Sequence, residues 1–380
     1  MQREIDFLGY FSEHVFTYNS RNDMTASTAA FWQIPWLKPL NDVEAWNRVL
    51  QLANRTWSLT EVRARVLSVV RECADAVSLH LKPNGRFKGF VPGQYLSLTL
   101  PCNGVLKSRS FSLSKAPARD GSLRLTIRVK PDGSVSKAAA ELKAGDVVTI
   151  SQAMGEFTLP DPERGVLLLS AGSGITPMMA MLQDWAGRGK RPDVVLVHSC
   201  RHPSDWIFRD ELQTLVHRWP ELRVHSRFTG RDGRLHTEDL AALVPDYAER
   251  DTLLCGPEGF MADIAGHYRA HGLSARLKQE HFQAFKTEIR PDAPEYRVFG
   301  ADGQAAFTTR NGQNLLEAAE RQGLNPAHGC RRGICMTCTC RKLGGTVHNQ
   351  LTDTLSGDGD EWIQLCVSTP VSDLHLEMAP

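Results

Sequence analysis

The sequence lacks both a long apolar run and an excess of charge of one sign. Its apolar stretches, such as Val166 to Leu169, are far shorter than the ~20 residues that a transmembrane helix needs. It has 44 basic and 43 acidic residues, and this balance argues against a general attraction to nucleic acid. The N-terminus carries Glu4 and Asp6 and no apolar segment of the secretory kind, so we expect a cytoplasmic chain with reduced thiols.

The length of 380 residues exceeds what one hydrophobic core normally serves, and two to four domains are expected. Apolar residues make up 42% of the chain, close to the average of soluble globular proteins, which excludes a mostly disordered chain. Residues 61–160 alternate apolar and polar residues in short runs, which predicts an antiparallel β-barrel. Residues 163–285 alternate apolar strands with helical stretches, which predicts a parallel sheet with crossover helices.

The two ends of the chain differ from this central part. Residues 1–56 form an N-terminal extension rich in Trp, in which residues 43–53 show the periodicity of a helix. We interpret the extension as packing on the domain that follows, with a docking or membrane-surface element as the alternative. Residues 286–295 contain two prolines and no apolar periodicity; we interpret them as a linker, which leaves residues 296–380 for one small domain.

The nine cysteines are unevenly distributed, and five of them lie in the last 51 residues. Cys330, Cys335 and Cys338 have the spacing C-x4-C-x2-C, with Cys366 as a distant fourth ligand. This is the plant-type ferredoxin spacing, in which one tight loop supplies three thiolates to a 2Fe-2S cluster. Structural zinc, which prefers two C-x2-C pairs, and inert core thiols are the alternatives. Cys340 is surplus to this set, and we interpret it as a packed neighbour rather than an alternative ligand.

A strand that runs into a glycine-rich turn and then into a helix begins at Val166. Its turn contains Gly172 and Gly174, and glycines there let the backbone approach a pyrophosphate at the helix N-terminus. Pro177 suits the first helical turn because it has no N–H to leave unpaired. Taken alone, this pattern also occurs in ordinary strand–helix turns.

Six motifs, taken in chain order, resemble those of the ferredoxin–NADP reductase superfamily. They are Pro92-Gly93-Gln94-Tyr95, R-x-F-S from Arg109, G-x-V-S from Gly133, G-x-F from Gly155, G-S-G-I-T-P from Gly172 and C-G-P from Cys255. The C-terminal cysteines narrow the resemblance to reductases with flavin, nucleotide and iron–sulfur modules in that order. Among these, the Trp-rich extension, Trp57-Ser58-Leu59 and the segment around Cys330 are most similar to the reductase partner of membrane stearoyl-CoA desaturases.

The resemblance implies a multi-domain fold. An FAD-binding antiparallel β-barrel is expected over residues 57–162 and an NAD(P)-binding α/β domain with a parallel sheet over 163–285. After the linker, residues 296–380 are expected to form an α+β ferredoxin domain of the β-grasp type that holds the 2Fe-2S cluster.

The same resemblance implies an NAD(P)H-dependent oxidoreductase. Electrons are expected to pass from NAD(P)H through FAD and the cluster, singly, to a partner oxygenase, above all a membrane fatty-acid desaturase. Such a partner would hold the chain at the inner face of the membrane. The alternatives are a reductase for a Rieske or a hybrid-cluster partner, and a flavin redox-sensing module.

The flavin contacts are likewise implied by the resemblance. Arg109 is expected to pair with the flavin diphosphate, Phe111 to stack on the flavin ring where the family usually has Tyr, and Ser112 to donate to flavin N5. Phe282 is expected to cover the flavin face, with a core aromatic as the alternative. The other flavin-binding residues are Ser110, Gly133, Val135 and Ser136, the last through its hydroxyl.

The nucleotide contacts complete the implied site. Cys255 is expected beside the hydride path, with a buried strand cysteine as the alternative. Ser226 and Arg227, placed just after a strand, resemble the Ser-Arg pair that binds the 2′-phosphate in NADPH-using relatives, and no acidic residue is seen where a ribose diol would be held. NADPH is therefore favoured over NADH. The pyrophosphate-binding and neighbouring residues are Gly172, Gly174, Thr176, Pro177 and Gly256.

Overall fold

The computed structural model describes residues 42–159, 161–282, 289, 292–329, 331, 333 and 336–377. The extension before residue 42, most of the linker, Cys330 and Cys335 lie outside the described residues. Within the described part of the chain, no helix has the length and apolar character needed to cross a bilayer.

The helix predicted in the N-terminal extension is confirmed. Helix α1 (Val43–Ala53) begins after Asp42, whose carboxylate accepts hydrogen bonds from two backbone N–H groups of the first turn. The side chain of Asn47 fastens α1 to the next segment by accepting from the Leu59 N–H at 2.7 Å. All residues of α1 are half-buried or exposed, and Leu52 is 89% exposed. The described part of the extension is therefore joined to its neighbour mainly by polar contacts.

The first described domain is the predicted antiparallel barrel. Its strands are β1 (Val62–Cys73), β2 (Ala76–Pro83), β3 (Tyr95–Cys102), β4 (Val105–Ser112), β5 (Leu123–Arg128) and β6 (Val147–Ile150). They form a six-stranded sheet in the order β4-β3-β6-β1-β2-β5, and an antiparallel bridge between Leu113 and Leu125 joins its two ends. Helix α2 (Ser134–Ala140) packs beside β3, β4 and β5. This places the G-x-V-S motif next to the strand that carries R-x-F-S.

The second domain is the predicted parallel sheet with helices. Its strands are β7 (Val166–Ala171), β8 (Val194–Cys200), β9 (Leu222–Phe228), β10 (Asp251–Gly256) and β11 (Leu277–His281). Its helices are α3 (Ile175–Gly187), α4 (Arg209–Arg218), α5 (Thr229–Asp232), α6 (Thr237–Leu243) and α7 (Glu258–Ala270). The strand order is β11-β10-β7-β8-β9, so the chain reverses direction across the sheet between β7 and β10. Ligands bind at such a switch point, outside the carboxyl ends of the strands.

The third domain contains two small sheets and a helix. The elements are β12 (Glu295–Phe299), β13 (Ala305–Arg310), α8 (Leu315–Arg321), β14 (Thr339–Gly344), β15 (Val347–Asn349), β16 (Thr354–Leu355), β17 (Glu361–Gln364), β18 (Ser368–Pro370) and β19 (Leu374–Glu377). The larger sheet has the order β13-β12-β19-β14-β17, and the smaller has the order β16-β15-β18. Strand β12 begins at Glu295, the last residue of the predicted linker.

An ionic network around the buried Arg124 joins the barrel to the parallel-sheet domain. Arg124 of β5 donates to Glu211 of α4 at 2.5 Å and to the backbone oxygen of Ser114. Gln183 of α3 donates to the second oxygen of Glu211 at 2.6 Å. The guanidinium of Arg124 also lies 4.4 Å from the ring centre of Phe208. Because a buried cation needs such partners, the network fixes how these two domains face each other.

His198 predicts a pH dependence of stability. Its Nδ1 is 2.8 Å from Ser170 Oγ, and burial, helped by the charge of Arg128, lowers the pKa of His198 to about 3. An unfolded histidine titrates near ~6.5, so the unfolded chain binds the extra proton between these pH values. We therefore expect the free energy of unfolding to fall by roughly 2–4 kcal/mol as the pH drops from about 6.5 towards 3.

The measurement is urea unfolding at several pH values, followed by tryptophan fluorescence, because Trp206 stacks on His198 with ring centres 6.1 Å apart. We expect His198→Gln to flatten this part of the pH profile. The control is His217→Gln, since His217 is exposed on α4. Identical pH profiles for the two variants would contradict the prediction.

Candidate functional site

The residues predicted to bind the flavin ring and its diphosphate through the R-x-F-S motif lie at the end of β4. Arg109 is exposed there, and its Nη1 donates to the backbone oxygen of Ser108 at 2.8 Å. Ser110 and Phe111 are half-buried, and Phe111 packs against the core of the barrel. Ser112, the last residue of the strand, is buried. The motif thus presents a cation, an aromatic ring and a buried hydroxyl in succession.

The G-x-V-S motif forms the N-terminus of α2. Gly133 is the residue before the helix, and a Cβ at this position would lie 2.4 Å from Ser136 Oγ. The Ser136 hydroxyl donates to the Gly133 oxygen at 3.0 Å and accepts from the Lys130 N–H at 3.1 Å. Val135 is buried in the barrel core. The Ser136 hydroxyl closes the turn at the start of α2, and its contact with the flavin diphosphate stays a prediction.

The glycine-rich turn at the carboxyl edge of the parallel sheet has almost no space for side chains. Gly172 has φ +56°, and its missing Cβ leaves room for Arg128 Nη1 at 3.3 Å. A Cβ on Gly174 would lie 2.0 Å from the backbone oxygen of Cys255. A Cβ on Gly256 would lie 2.8 Å from Phe260. The turn can therefore approach the end of β10 only because these positions are glycine.

Thr176 and Pro177 support the glycine-rich turn from the first turn of α3. Both are buried in the first turn of α3, and Thr176 Oγ1 donates to the Ser173 oxygen at 2.9 Å. The Thr176 hydroxyl is thus engaged within the turn. The Ile175 N–H at the start of α3 donates to the Ser173 oxygen and Pro177 has no N–H, so the glycine surface of the turn is the part that fits a pyrophosphate.

The candidates for hydride transfer meet where the barrel contacts the parallel-sheet domain. Cys255 is fully buried on β10, in register with Glu280 on β11. Ser112 Oγ donates to Glu280 Oε2 at 3.1 Å across the boundary between the two domains. Glu280 is buried and was not identified from the sequence, because Lys278, Gln279 and Glu280 in succession look like a solvated strand. Only the strand pairing brings it to Ser112 and Cys255.

We expect Ser112→Ala to slow reduction of the bound flavin by NADPH by roughly 10- to 100-fold, the effect of losing a hydrogen bond to a charged or reacting group. The hydroxyl is held by Glu280, so it is oriented before the nucleotide arrives. The measurement is anaerobic stopped-flow absorbance. The control is Ser122→Ala, which removes another buried barrel hydroxyl, one that donates to Asp120. Equal rates for Ser112→Ala and wild type would remove Ser112 from the hydride path.

The predicted 2′-phosphate residues lie within β9 and not after it, because the strand continues to Phe228. Ser226 is exposed. Arg227 is fixed by Asp239, with 3.0 Å between Nη1 and Oδ2, and by two backbone oxygens of the following turn. Arg231 is 74% exposed and pairs with Asp232 at 2.6 Å. Asp239 and Asp232 therefore lie against Arg227 and the neighbouring Arg231, and Arg231 is the more exposed of these two cations.

Phe282 directly follows β11. It is half-buried and packs against the core of the parallel-sheet domain. These contacts favour the core-aromatic alternative.

Two of the four predicted iron ligands are described. Cys338 and Cys366 are buried, and the backbone oxygen of Cys338 accepts from the residue before Cys366 at 3.1 Å. The N–H of Gly333 donates to Cys366 Sγ at 3.2 Å. Gly333 has φ +72°, and a Cβ there would lie 2.8 Å from Val367. A backbone N–H aimed at a cysteine sulfur, in a turn too tight for a side chain, fits a thiolate that ligates a metal cluster.

The loop around these cysteines is tightly wound. Arg331 and Met336 also have positive φ, and Arg331 is anchored by both oxygens of Glu320. Cys340 points instead into the core of the third domain, where burial raises the pKa of its thiol to about 11. That placement agrees with its interpretation as a packed neighbour.

Three family models match the chain, one for each domain. Residues 64–159 match an oxidoreductase FAD-binding domain, and residues 168–266 match an oxidoreductase NAD-binding domain. Residues 300–371 match a 2Fe-2S iron–sulfur cluster binding domain.

Two relatives cover most of the chain. An NADPH oxidoreductase of Mycobacterium tuberculosis is 36% identical over 343 residues, which are 87% of each chain. A glycine betaine monooxygenase reductase subunit of Chromohalobacter salexigens is 30% identical over 361 residues, covering 86% of this chain and 98% of the relative. Among solved structures, phthalate dioxygenase reductase superposes with a TM-score of 0.58 at 22% identity, covering 84% of this chain and 98% of that one. This last likeness establishes the three-domain fold.

Proposed function

This chain belongs to the ferredoxin–NADP reductase-like oxidoreductases that combine FAD-binding, NAD-binding and 2Fe-2S domains, and we propose that it carries electrons from NADPH to a partner oxygenase. The observation that supports this most directly is the junction of Ser112 and Glu280 beside the buried Cys255. The motifs at Arg109 and Gly133 would hold FAD, which would supply the conversion of a two-electron hydride donor, NADPH, into single electrons for the cluster, with release of NADP⁺ and one proton.

The residues of this chain orient the nucleotide and the flavin and exclude water from between them. The turn at Gly172 and Gly174 holds the nucleotide pyrophosphate against the end of β10. Buried Cys255 would close the nicotinamide side, and Ser112, whose hydroxyl proton is donated to Glu280, would turn its oxygen towards flavin N5. The network at Arg124 keeps the two domains in this arrangement. Orientation of this kind is the main contribution of a protein to hydride transfer between cofactors.

The nucleotide is NADPH in this proposal. Ser226 and Arg231 are exposed at the carboxyl end of the parallel sheet, and the relative that is 36% identical is named an NADPH oxidoreductase. We expect Ser226→Asp to lower kcat/KM for NADPH by about tenfold, because a carboxylate repels a 2′-phosphate, with little change for NADH. Ser204→Asp, in the exposed turn after β8, is the control. An equal loss with both nucleotides would argue against a 2′-phosphate at Ser226.

The acceptor is an oxygenase in this proposal. One relative is named a monooxygenase reductase subunit, which supports the class. The resemblance around Cys330 and in the Trp-rich extension favours, within that class, a membrane fatty-acid desaturase. The names of the two relatives do not support that narrower choice. A reductase for a Rieske or hybrid-cluster partner is the alternative. Co-purification with the protein encoded by a neighbouring gene would identify which of these partners accepts the electrons.

The test is an anaerobic titration of the purified protein with NADPH and then NADH, followed by visible absorbance and low-temperature EPR. We expect bleaching of a flavin band and a rhombic signal of a reduced 2Fe-2S cluster, with NADPH as the better reductant. Flavin bleaching without a cluster signal, together with zinc in metal analysis, would contradict electron transfer from the flavin through a 2Fe-2S cluster. Slow reduction of both groups would favour the redox-sensing module.

A further inference from the structure

The third domain exposes a large aromatic residue on the outer strand of its sheet. Trp362 lies on β17, which stands at the edge of the five-stranded sheet with β14 as its neighbour. The side chain of Trp362 is 70% exposed. Tryptophan is usually well buried, and it is enriched where one protein binds another.

The surface that carries Trp362 continues to the cysteine loop. Gln364, two residues further along β17 and on the same face, donates to the sulfur of Met336. Met336 is 66% exposed and lies between Cys335 and Cys338. We call Met336, Trp362 and Gln364 the edge face. Its strand leads directly into Cys366, so a protein seated on it is close to two of the predicted ligands.

The surroundings of the edge face are acidic. Residues 336–377 carry two basic and six acidic side chains. Of the two basic ones, Arg341 is paired with Asp360 and Glu377, and Lys342 is fully buried. The segment therefore has an excess of acidic side chains, although Glu361 pairs with Lys342, Asp373 pairs with Arg297, and Arg331 lies in the adjacent cysteine loop.

The acidic turn before Trp362 is also anchored from inside the domain. The buried ammonium of Lys342 donates to the backbone oxygens of Gly345, Gly357 and Gly359 at 2.6–3.0 Å. A surface that is already ordered loses little conformational entropy on binding. Three properties are thus combined next to the cluster loop, namely an exposed indole, negative charge and a fixed backbone.

We propose that the edge face is the docking site of the electron-acceptor protein, and that this acceptor presents a basic surface with an apolar recess for Trp362. The inference rests on the proposed function, since it requires single electrons to leave through the cluster. Negative charge around the face attracts a basic partner, and the exposed indole supplies the anchor at the centre of the contact.

The experiment uses the full chain with NADPH as reductant and cytochrome c as a basic, one-electron acceptor protein. We expect Trp362→Ala to raise the KM for cytochrome c about tenfold with kcat little changed, as for loss of an aromatic anchor, and Trp362→Phe to restore part of it. Ferricyanide reduction, which does not need a protein docking site, should stay within twofold. The control is Trp57→Ala, another exposed tryptophan outside the third domain. The wild-type rate should also fall with added salt.

The outcomes distinguish a failure of the proposed docking site from a failure of the proposed electron path through the cluster. If Cys366→Ser abolishes cytochrome c reduction but Trp362→Ala leaves the KM for cytochrome c unchanged, the acceptor docks elsewhere, and electron transfer through the cluster is still supported. If Cys366→Ser reduces cytochrome c as fast as wild type, electrons bypass the cluster and the proposed function itself fails. If sedimentation shows a dimer that Trp362→Ala dissociates, the edge face binds a second copy of the chain, which overturns the proposal.

Discussion

Replacing Cys366 with serine is expected to abolish cluster-dependent electron transfer while leaving flavin reduction intact. Cys366 is buried and receives a hydrogen bond from the Gly333 N–H, the arrangement expected of a cluster thiolate. A serine hydroxyl keeps the volume but not the thiolate. We expect the EPR signal of the cluster to disappear, cytochrome c reduction to fall by more than about 100-fold, and reduction of the flavin by NADPH to stay within twofold.

Cys340→Ser is a closely matched control for this prediction. Cys340 is buried in the same domain, two residues from Cys338, but it packs in the core. We expect this variant to keep the cluster and to lose roughly 1 kcal/mol of stability from the buried hydroxyl. Retention of the cluster in Cys366→Ser, or its loss in Cys340→Ser, would show that the fourth ligand has been misassigned.

The second large effect is expected for Gly174→Ala. The added Cβ would lie 2.0 Å from the backbone oxygen of Cys255 and 2.5 Å from its carbonyl carbon. Because both atoms belong to a central strand, the turn has to move away from β10, and overpacking of this kind costs typically ~1–3 kcal/mol. We expect flavin reduction by NADPH to slow by at least about 100-fold, since a 1 Å misplacement is enough for such a loss. Stopped-flow absorbance measures it.

Gly187→Ala is the control at the other end of the same helix. Nothing lies within 4 Å of the position that its Cβ would occupy, and alanine is the better helix former. We expect a wild-type rate and a melting temperature that is unchanged or slightly higher. A wild-type hydride-transfer rate in Gly174→Ala would mean that close contact between the turn and β10 is not required.

Local patterns in the sequence predicted the local structure well. Helix α1 spans residues 43–53 as its periodicity indicated, and the alternation of strands and helices after residue 163 forms the parallel sheet. The spacing of the cysteines predicted a 2Fe-2S domain, and a family model for such a domain matches residues 300–371. These features depend on neighbours within a few turns of the chain, which is what periodicity and spacing encode.

Contacts between distant segments could not be predicted in the same way. Glu280 meets Ser112 across 168 positions of the sequence, and no motif marks a lone glutamate on a strand. The Ser136 hydroxyl is turned into its own helix start, which depends on backbone geometry. Ser226 was expected after a strand but lies within β9, because tertiary pairing with β8 extends the strand. In each case the deciding interaction is made by the folded chain.

The contact between Ser112 and Glu280 also determines when the site can form during translation. Ser112 leaves the ribosome 168 residues before Glu280. At ~5–20 residues per second, the delay is about 10–30 s. Throughout that interval the barrel exists without the carboxylate that orients its buried hydroxyl. A flavin that arrives early therefore meets an incomplete site, and the mature arrangement forms only once the last parallel strand has been translated.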